Sequence, residues 1–125
     1  GSENAGFTSG TPWFQVNPNY REINAAAAMA DPDSVFHYYQ KLIRLRHENE
    51  IIVYGTFRPL LTDSDTIYAY ERVLEDKVLT VACNWTNREV PCDLFADASG
   101  SELISNYASH KDGVLMPYEA RVILR

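Results

Sequence analysis

The chain has 125 residues, of which 46% are hydrophobic and 12% aromatic, so it can build one domain with a core and is not a disordered chain. The formal net charge of −6 repels phosphate backbones and argues against nucleic-acid binding. No apolar run approaches the roughly 20 residues of a membrane span, and the start lacks the basic-then-apolar pattern of a signal peptide, so we expect a cytoplasmic protein.

Residues 1–30 are predicted to form an extended loop. Pro12 and Pro18 forbid a continuous helix, and each pushes the residue before it toward extended backbone. The segment from Asn24 to Ala30 is expected to form a short turn of helix. A turn of that length is not stable alone, so something larger has to hold it in place.

The strongest helix signal begins at Asp31 and ends between His47 and Glu50. Asp31 can cap the helix, Pro32 fits its first position, and Asp33 complements the positive end of the helix dipole. Apolar residues then recur at spacings of three and four and form one broad stripe. The stripe consists of Val35, Phe36, Tyr38, Tyr39, Leu42, Ile43 and Leu45. We therefore predict one helix over residues 31–50.

After this helix the hydrophobic period changes to two residues, which is typical of strands. The candidate strands lie at 67–73, 78–85, 88–94, 102–105, 113–116 and 120–124. Turn clusters at 62–65, 74–77, 97–100 and 110–113 separate them. One helix followed by strands alone predicts a mainly β fold, an antiparallel sandwich or barrel of six or seven strands, rather than parallel βαβ units.

One hairpin can be given a register from the sequence, with its turn between Asn87 and Arg88. The facing pairs are then Trp85 with Val90, Cys83 with Cys92, and Val81 with Leu94. All are apolar and share one face, so Trp85 is expected to face the core and the two cysteines to be close neighbours. Directly paired strands strain many disulfides, and a reducing compartment keeps thiols reduced, so we expect free thiols.

The chain shows no catalytic constellation. Asp31 with Asp33, and Asp63 with Asp65, are paired carboxylates that can serve as acid and nucleophile, but this spacing in a turn more often stabilises the turn or caps a helix. There is no nucleophile elbow and no glycine-rich phosphate loop. The histidines, which are His37, His47 and His110, are too dispersed to suggest a metal site. We therefore expect no catalytic residue, no metal and no cofactor.

Asn84-Trp85-Thr86 matches an N-glycosylation sequon, but it lies beside a predicted tight turn in a chain without a signal peptide. We interpret the match as a chance occurrence.

Three segments carry a resemblance to a known family: Asn4 to Tyr20, Glu22 to Asn24, and Asp31 to Val35. They resemble the C-terminal part of α-glucosidases in glycoside hydrolase family 13, in the group of oligo-1,6-glucosidases, dextran glucosidases and related sucrose isomerases and trehalose synthases. The sequences of residues 39–46 and 54–57 fit the same family. The resemblance spans essentially the whole chain. Its first motif is specific, because it is long and contains many different residue types. The β region is a weak match by itself.

The resemblance implies that the parent protein has a catalytic part and a part without catalytic residues. In that family a (β/α)8 barrel carries catalysis, and an antiparallel β-sandwich of Greek-key type, domain C, follows it. Residues 1–50 would be a remnant of the barrel, with a loop at 2–30 and the last barrel helix at 31–50, and residues 51–125 would form domain C. The family's three catalytic carboxylates match nothing here, and a barrel needs about 200 residues or more. The resemblance therefore implies a non-catalytic fragment that supports the barrel of a retaining α-glucosidase, which would hydrolyse short α-1,6- or α-1,4-linked glucosides.

The resemblance also implies candidate site residues and partners. Asn4, Phe7 and Trp13 would border the sugar pocket of the parent protein, because loops at that end of a barrel assemble its active site; packing alone is the other interpretation. The implied partner is the catalytic barrel of the parent chain. With the barrel absent, the apolar helix face is expected to pack on the sandwich or to pair with another copy of the chain.

A carbohydrate-binding module is the alternative function, because Trp13, Trp85 and the tyrosines can stack on sugar rings. An independent small enzyme is disfavoured because a catalytic constellation is missing.

Overall fold

The structure, a computed structural model, describes residues 1–96 and 99–125. These residues form two compact units, residues 1–44 and residues 45–125. Asp97 and Ala98, the first half of the predicted turn at 97–100, lie outside the described residues. No helix in the described part of the chain is long and apolar enough to cross a membrane.

The first unit is mostly irregular backbone, as the prolines predict. A short 3₁₀ turn covers Glu3–Gly6, and helix α1 covers Ala25–Ala30. Asn24 caps α1, since its Oδ1 accepts a hydrogen bond of 3.0 Å from the Ala27 N–H. The short helical turn predicted for residues 24–30 is therefore confirmed.

Helix α2 covers Val35–Glu48, so the predicted start at Asp31 was wrong. Asp31 Oδ1 accepts a 2.9 Å hydrogen bond from the Asp33 N–H, and the Ser34 N–H donates to the Asp31 carbonyl at 3.1 Å. These bonds close a turn over 31–34. The Ser34 carbonyl then accepts the 3.1 Å bond from the Tyr38 N–H that opens the helix. The Asp31 side chain therefore stabilises this preceding turn rather than the helix itself.

A second short helix, α3, covers Glu50–Tyr54 and was not predicted. Asn49 separates it from α2 and donates from Nδ2 to the Leu45 carbonyl at 2.9 Å. Helix α3 ends at Gly55, whose N–H donates to the Ile51 carbonyl at 3.0 Å. A Cβ at position 55 would lie 2.4 Å from that carbonyl oxygen, so only glycine fits there.

The rest of the second unit is antiparallel β structure, which confirms the mainly β character expected after the helix. The strands of the described residues are β1 Thr56–Leu60, β2 Ile67–Leu74, β3 Lys77–Asn84, β4 Val90–Pro91, β5 Ser101–Ser105, β6 Val114–Leu115 and β7 Ala120–Leu124. Five of them form one sheet in the order β1-β2-β3-β7-β5, and β4 pairs with β6 in a separate two-stranded sheet.

Strand β3 lies at the centre of the larger sheet and is packed on both faces. On one face, Leu79 and Val81 pack with Ile51 of α3. On the other, Ala82 belongs to a buried cluster with four further residues. That cluster contains Ile67, Ala69, Cys92 and Leu115. Burying a full aliphatic side chain stabilises the fold by about 1.5–3 kcal/mol, so these two clusters hold the unit together.

The predicted hairpin between residues 81 and 94 was wrong. Strand β3 pairs with β2 and β7, so Cys83 lies opposite Tyr68 and Ala120 rather than Cys92. Trp85 is 68% exposed and does not face the core. The cysteines belong to packing clusters on opposite faces of the sheet, so their predicted proximity was wrong too. Both are free, as expected.

Candidate functional site

The loop of the first unit encloses a concavity of about 800 Å³. Aromatic and apolar side chains make up much of its lining, with a few amides among them. The lining includes Phe7, Trp13, Phe14, Tyr20 and Ile23, with Gln15 and Asn17. Concave, mostly apolar surfaces with a few polar groups are typical of sites that bind small molecules.

Asn4 shapes the loop at one end of this concavity. Its Nδ2 donates hydrogen bonds of 3.0 Å to the carbonyl oxygens of both Thr8 and Gly10. The backbone is left-handed at Asn4 (φ 52°), Ala5 (φ 53°) and Gly6 (φ 77°). Asparagine and glycine adopt this region readily, whereas Ala5 is strained there. Asn4 therefore fixes a tight and locally strained loop.

The structure brings two of the three predicted site residues to the concavity. Phe7 and Trp13 both line it, and they are 86% and 92% exposed. Trp13 stacks on Phe14, with ring centroids 5.4 Å apart and planes 23° from parallel. Asn4 is absent from the lining and holds the backbone beside it. That these residues border a sugar pocket stays a prediction.

The sequence did not single out Tyr20, Ile23 or Asn24, which also line the concavity. Asn24 uses its amide inside the loop, because Nδ2 donates to the carbonyls of Tyr20 (3.0 Å) and Arg21 (3.2 Å) while Oδ1 caps α1. The signal available in the sequence was the Asn-Pro-Asn-Tyr turn at residues 17–20, which ends at Tyr20. Turn residues carry no period, so the signal did not indicate which side chains share a surface.

The polar groups in the lining of the concavity are amides and hydroxyls. Its lining residues, all between Ala5 and Ala25, include no carboxyl, imidazole or thiol side chain. Among residues 1–96 and 99–125 there is also no cluster of three or more His, Cys, Asp or Glu side chains that could hold a metal ion. The surface can therefore bind or pack, but it does not contain an acid–base pair.

The other carboxylate candidates lie in turns, and the cysteines lie in packed clusters. Asp31 accepts the Asp33 N–H, as described above, and Asp63 and Asp65 lie in the turn between β1 and β2. Burial raises the pKa of both the Cys83 and Cys92 thiols, which keeps them protonated and poorly nucleophilic.

Asn84, the first residue of the sequon, is buried and 3% exposed. Its Nδ2 donates to the carbonyls of Arg88 (2.7 Å), Met116 (2.9 Å) and Leu115 (3.3 Å). Its Oδ1 accepts hydrogen bonds from the Thr86 N–H and hydroxyl. An amide nitrogen enclosed in this way is a structural group, which agrees with the interpretation of the sequon as a chance match.

Comparison with known proteins finds relatives that span both units. The α-amylase catalytic-domain family matches residues 1–55. An oligo-1,6-glucosidase of Parageobacillus thermoglucosidasius is 49% identical over 97% of this chain and 23% of its own length. A crystal structure of Bacillus licheniformis trehalose-6-phosphate hydrolase superposes with a TM-score of 0.90 at 40% identity, over 99% of this chain and 24% of that one. The isomaltulose synthase of Klebsiella sp. LX3 gives a TM-score of 0.87 at 38% identity, with the same coverage of 99% and 24%.

The matches to these relatives cover both the irregular first unit and the β unit, so the chain is similar to part of a group of glucosidases and related enzymes. The chain matches the α-amylase catalytic-domain family over residues 1–55 and is similar to oligo-1,6-glucosidases along nearly its whole length, as the N-terminal motif indicated. It spans about a quarter of the length of the curated relatives it matches, 23% in the first two.

Proposed function

We propose that this chain is a non-catalytic, C-terminal part of a larger α-glucosidase and that it supports the catalytic barrel of that protein. The whole protein would hydrolyse short α-1,6- or α-1,4-linked glucosides. Two features support the proposal. The relatives are about four times longer than this chain, and the candidate site in the first unit lacks the carboxylates that retaining glycosidases use.

Helix α2 is the single observation that carries the proposal. None of its residues, 35 to 48, is buried, although an apolar stripe runs along it. Val35 is 73% exposed, Tyr39 62% and Ile43 56%. Apolar stripes of this kind normally pack against another element, and leaving one exposed forfeits about 1.5–3 kcal/mol for each large side chain. We infer that the catalytic barrel covers this helix in the whole protein.

The family match ends five residues beyond the boundary that we propose between the two parts, so it supports a division in this region of the chain. The catalytic-domain match ends at residue 55, directly before β1 begins at Thr56. Residues 1–50, with the loop at 2–30 and the helix at 31–50, would then be the last elements of the barrel. Residues 51–125 would be domain C, a Greek-key β-sandwich built from the two antiparallel sheets.

The N-terminal loop has a second role in this proposal. In the whole protein, Phe7 and Trp13 would lie at the edge of the sugar pocket, and Asn4 would hold the loop that presents them. Their exposure of 86% and 92% supports a surface that another part of the protein or a substrate covers. The alternative is that these side chains only pack and have no effect on substrate. Trp13→Ala in the whole enzyme distinguishes the two roles. A residue at the pocket changes KM or kcat without loss of stability, whereas a packing residue does not.

The experiment that tests the proposal is a chimera. In the Parageobacillus oligo-1,6-glucosidase, the segment that aligns with this chain is either deleted or replaced by this chain, which is 49% identical to it. We expect the deletion to be insoluble or inactive on isomaltose and the chimera to be folded and active. This chain alone should release no glucose. Saturable quenching of its tryptophan fluorescence by isomaltose or dextran would favour the carbohydrate-binding module instead.

A further inference from the structure

The two faces of the five-stranded sheet are covered unequally. On one face, Ile67, Ala69 and Ala82 are at most 6% exposed. They pack with Cys92, which follows β4, and with Leu115 of β6. The two-stranded sheet therefore covers this face. On the opposite face, aromatic side chains of β1 and β2 remain open to solvent.

Three aromatic side chains form a continuous row on that opposite face. The ring centroids of Phe57 and Tyr70 are 5.2 Å apart, and those of Tyr70 and Tyr68 are 5.8 Å apart. Tyr70 lies opposite Val81 and Tyr68 lies opposite Cys83, and cross-strand partners share a face. Phe57 is 49% exposed and Tyr68 is 51% exposed. We call Phe57, Tyr70 and Tyr68 the aromatic row.

Helix α3 covers the part of this face that adjoins the aromatic row. Ile51 of α3 is 3% exposed and packs with Leu79 and Val81, and Tyr70 packs against the same cluster. The row therefore continues the surface that α3 occupies. The match to the catalytic-domain family runs to residue 55 and includes the whole of α3. One end of this face is thus already covered by the last element of the segment that matches a catalytic domain.

The charged side chains beside the aromatic row are directed to other partners. Arg72, the cross-strand partner of Phe57, donates from Nη1 to the Gly55 carbonyl at 2.9 Å. Arg58 and Glu71 form an ion pair, and strand alternation places both on the other face of the sheet. A surface of aromatic rings with tyrosine hydroxyls fits a partner that is apolar at its centre and has hydrogen-bonding groups at its edge.

We propose that the aromatic row is the surface of the β unit on which the catalytic part of the whole protein packs, an inference that rests on the proposed function. The outer layer of a (β/α)8 barrel consists of helices, and an amphipathic helix presents an apolar stripe with polar edges. The chain spans 23% of the Parageobacillus relative, so most of that protein lies outside it. The continuity of the row with α3 selects this partner, because α3 already belongs to the catalytic-domain match.

Cysteine labelling measures whether the aromatic row is covered. Phe57→Cys and Arg58→Cys are each introduced into the 125-residue chain and into the chimera described above. Arg58 is the matched control, because it is the next residue of the same strand, its side chain is 60% exposed, and it lies on the other face. Peptide mass spectrometry assigns the maleimide label to each position, and Tyr68→Cys replaces Phe57→Cys if that variant does not fold.

The expected result is a protection that appears only in the chimera. In the isolated chain at low concentration, the two positions should be labelled at rates within about threefold of each other. In the chimera, labelling at position 57 should slow by about tenfold or more, while labelling at position 58 should stay the same. Only the face that carries the aromatic row would then be covered.

The activity of the chimera on isomaltose, measured on the same samples, separates this inference from the proposed function. An active chimera in which position 57 is labelled as fast as in the isolated chain would overturn the inference and leave the proposed function standing. Protection of position 57 in the isolated chain at high concentration, without protection in the chimera, would assign the row to a second copy and also overturn it.

An inactive chimera would count against the proposed function. The labelling is then made in the Parageobacillus oligo-1,6-glucosidase itself, at the two positions that align with Phe57 and Arg58. Slower labelling at the first position would support the inference, and equal rates at the two positions would overturn it.

Discussion

The side chain of Asn84 ties the end of β3 to Met116, because its Nδ2 donates a 2.9 Å hydrogen bond to the Met116 carbonyl oxygen. The same nitrogen serves Arg88 and Leu115, and the residue is almost completely buried. One amide therefore donates to carbonyls of two segments that are distant in the sequence, with the longest contact, to Leu115, sharing one of its two hydrogens. Backbone carbonyls that are buried without a donor destabilise a fold, so this residue is central to the β unit.

The first prediction is that Asn84→Asp destabilises the chain by about 2–4 kcal/mol, because it places a carboxylate oxygen against three carbonyl oxygens in a buried site. Urea unfolding measures the change. Asn87→Asp is the matched control, since it makes the same substitution at an exposed position three residues away. Equal stability of the two variants would show that the Asn84 bonds contribute nothing.

The second prediction concerns the packing of α3 on the sheet. Ile51 is 3% exposed and packs with Leu79 and Val81, whereas Val53 of the same helix is 38% exposed. Ile51→Ala should destabilise the chain by about 2–5 kcal/mol, and Val53→Ala by less than about 1 kcal/mol. Thermal and urea unfolding of both variants provide the comparison. If the two substitutions have equal effects, α3 is not part of the core.

The third prediction is a loss of stability above about pH 8.5 that depends on the cysteines. Burial raises the pKa of Cys83 and of Cys92, and the nearby Asp93 and Glu119 carboxylates add to the effect at Cys92. A thiol whose pKa is raised on folding stays protonated in the folded state after the unfolded chain has lost its proton. Stability is therefore present below the unfolded pKa and falls as the pH rises through it.

The double variant Cys83→Ala/Cys92→Ala measures this effect, because it should flatten the fall in unfolding free energy between about pH 8 and 9.5. This range ends below the ionisation of Tyr70, whose pKa burial also raises. The same slope in wild type and double variant would contradict the prediction.

The fourth prediction is that the isolated chain self-associates through α2. The exposed apolar stripe of this helix lacks the cover that we propose for the whole protein, and such stripes associate in water. Size-exclusion chromatography with light scattering should give a mass above that of a monomer at high concentration. Ile43→Lys should shift it to the monomer, whereas Gln40→Lys, on a polar position of the same helix, should not. A wild type that stays monomeric at high concentration would reject the pairing.

Local signals in the sequence predicted much of the fold. The stripe of α2 has a period of three to four residues, and β2 and β7 alternate clearly, so each was located within a few residues. Strand β1 was missed because Pro59 and the sequence Thr-Phe-Arg-Pro-Leu give no alternation, and it lies at the edge of the sheet, where proline is tolerated. Helix α3 was missed because its five residues are too few to show a period.

Long-range pairing could not be read from the sequence. The apolar alternation of Val81 and Cys83 is compatible with a hairpin to residues 90–94 and equally compatible with pairing to β7. The structure selects β7, because Val122 and Leu124 then pack with Leu79 and Val81 on one face. In the loop, the family resemblance indicated Phe7 and Trp13, but only the structure shows that Tyr20 and Ile23 share their surface.

Glucose release from isomaltose by the chimera of the Parageobacillus relative and this chain is the most direct measurement. If this chain is a non-catalytic support for a barrel, the chimera should be active, the relative without the segment should be inactive or insoluble, and this chain alone should release nothing. Full activity of the relative without the segment, or glucose released by this chain alone, would contradict that account.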